Sequence, residues 1–190
     1  HGEMNGERAL MDKGVYAHPK VTRVPLMIRC PQQTSAGREI ETPVSLLNLC
    51  PTLLGLAGIA PYHRLDGTDL MPLIRGETET RAQDFLFEAG WHSAPNPSVA
   101  IQYRFEDGRH FLYSYNLTDK RDELYDLTDL SYTNLAAREE YREVRREMIR
   151  RLAAVLQRDR RWRCYWHPMR LDYAGEVDVE PGDHQMFTPD

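Results

Sequence analysis

Residues with chemical capacity crowd the opening stretch HGEMNGERALMDKGVYAHPKVTRVPL. His1 stands directly before Gly2 and Glu3, Lys13 before Gly14, and His18 before Pro19, while Arg23 opens an Arg-Val-Pro. A fixed ammonium stabilises negative charge that develops on an oxyanion, and a glycine beside it lets the backbone come close to a ligand. That pairing sets Lys13 apart from an ordinary exposed lysine. His18 is open to several roles: contact with a substrate, donation of a proton, or a hydrogen-bonded place in a loop. Farther on, FEAGWHSAPNPS places Trp91 and His92 in a loop, where they either touch a substrate or anchor the packing of a lid.

Other chemistries are poorly supported. Cys30, Cys50 and Cys164 are too few and too far apart for a disulfide framework or a paired-cysteine zinc site, and they leave the compartment open between cytoplasm and bacterial periplasm. A net charge of −5, with 41% hydrophobic and 28% charged residues, describes a soluble globular chain without an overall pull toward nucleic acid or anionic membrane. The longest apolar run, VSLLNLCPTLLGLAGIA, carries Asn48 and Pro51, and no run approaches the roughly 20 residues of a membrane span. A chain that opens on His1 is read as a piece of a longer protein.

The elements that must position these groups follow from periodicity. RVPLMIRC (23–30) is short and apolar, which predicts a strand buried on both faces. Residues 42–58 predict one turn and then a helix with Pro51 in its first turn and Gly58 as its stop. The Asp66-Gly67 pair predicts a turn before a short apolar segment, and the charged residues 77–81 mark a seam. Val99, Ile101, Tyr103 and Phe105 alternate with polar or small residues, EDGR turns the chain, and Phe111, Tyr113 and Tyr115 alternate again, predicting a hairpin. DELYDL predicts a third strand. Apolar residues at 141, 144, 148, 149, 152, 155 and 156 predict an amphipathic helix whose arginines pair with interleaved glutamates. The end of the chain reads as an acidic surface tail.

Taken in order, HGE, DKG, RVPL, VSLLNLCPTLLGLAG, LDGTDLMPLIRG and ELYDLTDLSYTNLA resemble the sulfatase branch of the alkaline phosphatase superfamily, over residues 1 to about 157. The resemblance implies a C-terminal portion of such an enzyme, beginning one residue after the family's metal-binding aspartate. His1 would then ligate a divalent metal, calcium by family habit, although imidazole is an unusual donor for a hard cation. Lys13 would touch the sulfate group, and His18, Trp91 and His92 would border the substrate. Arg23 and Asp66 match family positions with structural roles, Asp66 by closing its turn. The family's nucleophile is a formylglycine made in CxPSR or SxPSR. No cysteine here lies in that pattern, so the nucleophile and the other metal ligands are expected on the N-terminal part of the same protein, and this portion alone is expected to be inactive.

The implied fold class is α/β: the C-terminal part of an alkaline-phosphatase-like sandwich (1–76), a small antiparallel sheet with a packed helix (77–162), and a tail (163–190). The implied substrate is a small-molecule or carbohydrate sulfate ester. Two alternatives stand: a phosphodiester or phosphonate monoester hydrolase of the same superfamily, and a non-catalytic relative acting as a binding module.

Overall fold

The computed structural model describes residues 2–13, 17–30, 37–78, 84–89, 98–116 and 120–158. Its helices are α1 (Pro19–Thr22), α2 (Leu49–Ala57), α3 (Met71–Arg75) and α4 (Arg142–Arg158), and its strands are β1 (Phe85–Ala89), β2 (Ser98–Arg104), β3 (His110–Asn116) and β4 (Arg121–Asp126). The chain is thus mixed α/β. Two compact units divide it: one comprises His1–Pro25 with Ala82–Asp190, the other Leu26–Arg81.

In the first unit the strands form one antiparallel sheet in the order β1-β2-β3-β4. The alternating residues of 99–105 and 111–115 pair as the sequence predicts, with Ile101 opposite Tyr113 and Tyr103 opposite Phe111. Gly108 N donates to Phe105 O at 3.0 Å to close the turn between them. DELYDL falls within and just beyond β4. Strand β1 was not predicted, because Phe85, Leu86 and Phe87 are all apolar and show no period of two. The stretch read as a loop from residue 87 therefore begins in a strand.

One face of the sheet carries Val99, Ile101, Tyr103, Phe111, Tyr113, Tyr115 and Leu124, all buried. Helix α4 lies on it, burying Val144, Met148, Ile149, Leu152, Ala153 and Leu156 at helical spacing, each of the larger side chains worth about 2 kcal/mol. A polar clamp joins the two layers. Arg145 Nε donates to Asp122 Oδ2 at 2.5 Å, and Tyr113 Oη donates to the same oxygen at 3.3 Å. Burial first, and then the Asp122 charge, hold the Tyr113 hydroxyl well above its ordinary pKa, so it stays a donor. The interleaved charges of the helix pair as expected: Arg142 with Glu139, Arg146 with Glu143, and Arg150 and Arg151 with Glu147.

The opposite face is built from Ala100, Leu112, Tyr125 and Leu127, with Ala17 buried against them and Phe87 and Tyr132 half-buried beside them. Segment 17–23 therefore packs on the sheet, which is what ties the opening stretch to this unit.

In the second unit, a 3-10 turn (Leu46–Asn48) leads into α2, with Ser45 and Asn48 forming a reciprocal capping box. Pro51 lies in the first turn of α2, where its missing amide hydrogen costs nothing. Thr52 Oγ1 donates to Asn48 O at 2.6 Å and accepts from Leu70 N at 2.9 Å, while Asn48 Nδ2 donates to Thr68 O at 3.0 Å. Gly67 is required by contact: a Cβ there would stand 2.0 Å from Leu47 O. At the start of α3, Asp69 Oδ1 accepts from Met71 N at 2.8 Å.

The strand predicted over 23–30 is not formed. Those residues join no ladder, and Met27 is 91% exposed with Leu26 and Ile28 exposed beside it. A strand buried on both faces needs hydrogen-bonded neighbours and covering layers, and none of the described residues supplies them.

Candidate active-site segment

The stretch from Gly2 to Arg23 is held together by its backbone. Gly2 N donates to Val21 O and Glu3 N to Lys20 O, both at 3.2 Å, so the residues that follow His1 are clasped to α1. Only glycine fits at position 2, since a Cβ there would lie 1.9 Å from Lys20 O. The glycine of the HGE motif is thus explained by a close approach to a carbonyl.

Between the clasp and Lys13 the chain makes a tight loop. Met4 is buried, Met4 N donates to Asp12 O at 3.1 Å, and Gly6 N donates to Leu10 O at 2.8 Å. Three non-glycine residues of this loop have left-handed backbone: Asn5 (φ 46°), Ala9 (φ 58°) and Asp12 (φ 67°). Each costs on the order of 1–2 kcal/mol, so the surrounding contacts must over-determine the loop. An ion pair between Lys20 Nζ and Glu7 Oε2 at 2.5 Å contributes to that.

Lys13 emerges at the end of this loop. Asp12 Oδ1 accepts from both Lys13 N at 2.7 Å and Lys13 Nζ at 3.1 Å, with the Lys13 and Asp12 side chains 41% and 71% exposed. The ammonium is therefore accessible, and its described counter-charge is exposed and competes weakly with an incoming anion.

His18 lies on the other side of the clasp and is 1% exposed. Its Nδ1 accepts from Lys20 N at 3.2 Å, capping α1, and its ring meets Tyr125 edge-on at 4.9 Å and Tyr132 at 6.0 Å. Arg23 ends α1 and donates from Nη1 to Tyr132 Oη at 3.5 Å, so it bonds a hydroxyl near the sheet. His1, Trp91 and His92 lie outside the described residues.

No group of three His, Cys, Asp or Glu side chains converges to hold a metal ion among the described residues. Glu3 is exposed, Glu7 is paired with Lys20 and Asp12 is engaged by Lys13. The described residues do not build a cation site by themselves. Sequence reasoning missed Asp12 and Glu7 as partners of the two lysines. The DKG string was the one visible signal, since an aspartate beside a lysine can bond that lysine's own amide.

The segment is thus a lysine-bearing strained loop clasped to a short helix, in the same unit as a four-stranded antiparallel sheet covered by one long helix. Residues 6–158 match the family described as N-sulphoglucosamine sulphohydrolase, C-terminal, and the chain belongs to that family. It is 36% identical to choline-sulfatase of Rhizobium meliloti over 143 residues, covering 72% of this chain and 25% of that protein. It is 40% identical to steryl-sulfatase of Mus musculus over 90 residues, covering 43% of this chain and 14% of that protein. A delta 4,5-hexuronate-2-O-sulfatase of Bacteroides thetaiotaomicron is 27% identical over 129 residues, covering 67% of this chain and 26% of that protein. These alignments span between about a seventh and about a quarter of the relatives' length.

Proposed function

We propose that the polypeptide containing this chain hydrolyses sulfate esters, and that residues 2–23 supply the lysine that binds the sulfate group. The observation that carries the reading is the family match over 6–158 with sulfatases among the relatives. The geometry fits it. Lys13 presents an accessible ammonium from a loop whose backbone is fixed by the Gly2 and Glu3 clasp. A charge held in place before substrate arrives needs no reorganisation as the ester bond breaks and charge builds on the sulfate and departing oxygens. Trp91 and His92 border the substrate in this reading, and His18 supports the wall by capping α1 rather than by reaching solvent.

The rest of the site is assigned to the N-terminal part of the same polypeptide. That part carries the formylglycine nucleophile, and a divalent metal, calcium on the family resemblance, is held there with His1 contributing its imidazole. A divalent metal held there would supply Lewis-acid polarisation of the sulfate group. The portion described here is inactive alone. Leu46, Leu47, Leu53, Leu56 and Ile59 are exposed on the second unit, and the relatives are several times longer than this chain, so the missing part of the polypeptide is the partner assigned to that apolar surface. Among the described residues no helix is long and apolar enough to cross a membrane.

The test is turnover of an aryl sulfate and an aryl phosphodiester by the full-length polypeptide, with calcium and with calcium chelated. Sulfate ester hydrolysis that falls on chelation is expected. Preference for the phosphodiester would move the assignment to phosphodiester hydrolysis, and inactivity on both would overturn it.

A further inference from the structure

The sheet face opposite α4 ends in a group of side chains for which the proposed ester chemistry has no use. Arg104 on β2 and His110 on β3 are directly opposite one another, so both side chains leave the face that carries Ala100 and Leu112. Arg23 reaches the same region from the end of α1, steered by its bond to Tyr132 Oη. Tyr132 is itself held in a left-handed backbone conformation, φ 47°, inside the turn that follows β4. Its ring stands edge-on to that of His18 at 6.0 Å, and Arg23 bonds its hydroxyl.

The charge balance of this group is incomplete. Neither Arg23 nor Arg104 has a carboxylate partner among the described residues. His110 Nε2 is buried and has no hydrogen-bond partner among them. Burial, then the charges of Arg104 and Arg23, push the His110 pKa down to about 4, so the ring is neutral. Asp126 acts on the ring in the opposite sense, but its Oδ1 is already taken by Thr128 N at 2.9 Å and Thr128 Oγ1 at 2.6 Å. Two guanidiniums therefore face a neutral imidazole, and the carboxylate that acts on that ring, Asp126, is bonded to Thr128 rather than to either arginine.

We propose that Arg23, Arg104 and His110 form a binding site for an oxyanion, a sulfate or carboxylate group, at the end of the sheet face opposite α4. Guanidinium forks match the paired oxygens of either anion, and the mutual repulsion of the two arginines is relieved when one is bound. The neutral ring has one N–H to give, and its tautomer with hydrogen on Nε2 turns a buried atom without a partner into a donor. This inference does not depend on the ester chemistry proposed above, because inorganic anions probe the site whether or not the polypeptide is a hydrolase.

The experiment uses the full-length polypeptide with isotope-labelled histidine, following the His110 ring resonance at neutral pH. Sodium sulfate or sodium acetate replaces sodium chloride at constant ionic strength. A saturable shift is expected, weakened about tenfold in Arg104→Gln and in Arg23→Gln by the loss of one charge-assisted bond, and unchanged in Arg121→Gln, an exposed arginine of β4. Saturation by sulfate alone assigns a tetrahedral anion, and saturation by both assigns the shared oxyanion class. Absence of saturation with either anion, or equal affinity in Arg104→Gln and Arg121→Gln, would overturn the site.

Discussion

Replacing Gly2 by alanine tests whether the clasp on α1 holds the segment that carries Lys13. The new methyl would start 1.9 Å from Lys20 O and 2.9 Å from Val21 Cα, both backbone atoms that cannot swing aside. Relief to ordinary contact requires the strands of the clasp to part by roughly 1.5 Å, a separation at which neither bond survives. Gly2 N to Val21 O and Glu3 N to Lys20 O, each now 3.2 Å, are then lost together. At about 1 kcal/mol per bond the segment loses about 2 kcal/mol, or roughly 30-fold in its local opening equilibrium. Hydrogen exchange followed by mass spectrometry on peptides covering 2–13 and 17–23 reads this directly, and aryl sulfate turnover on the same samples reads its consequence. The exchange of 2–13 should accelerate by that factor while peptides of α4 stay unchanged. Gly2→Ala with wild-type exchange and wild-type turnover would refute the argument that this close approach positions the segment.

Asp122→Ala removes the acceptor shared by Arg145 and Tyr113, whose carboxylate and guanidinium partners are 13% and 18% exposed, and should destabilise the first unit by about 3 kcal/mol, seen as faster exchange in α4 and β4. His110 gives a pH signature. Its folded pKa of about 4 lies below the ordinary 6.5, so the unfolded state binds the proton more readily and stability falls as pH drops from 6.5 to about 4. Burial first, then the charges of Arg104 and Arg23, lower it against the opposing charge of Asp126, and His110→Gln should flatten the fall over this window in a urea titration at stepped pH. An unchanged pH slope would remove His110 as its source.

What the sequence disclosed was what depends on neighbours along the chain. The alternation of Val99, Ile101 and Tyr103 against Phe111, Tyr113 and Tyr115 is a local signal of a one-sided sheet, and the spacing of Val144, Met148, Leu152 and Leu156 is one of a one-sided helix. Both formed where expected. The stretch 23–30 failed because an apolar run states only that the residues need covering, not that cover is within reach, and Met27 is left exposed. Strand β1 was missed because its consecutive apolar residues lack a period. In the candidate site, the order of HGE, DKG and RVPL was readable, and the reason for Gly2 was not, because it lies in a carbonyl at Lys20. The tyrosines that enclose His18 are more distant still: Tyr132 and the Arg23 it steers are 109 residues apart. Contacts of that separation leave no periodic trace.

Turnover of an aryl sulfate by the full-length polypeptide carrying Lys13→Ala bears most directly on the central claim. A lysine that meets the sulfate group should, when lost, cost about 10²–10³-fold in kcat, the effect of removing one donor from a developing oxyanion, while hydrogen exchange of residues 2–23 stays as in the wild type. Unchanged kcat in a correctly folded Lys13→Ala enzyme would contradict the account.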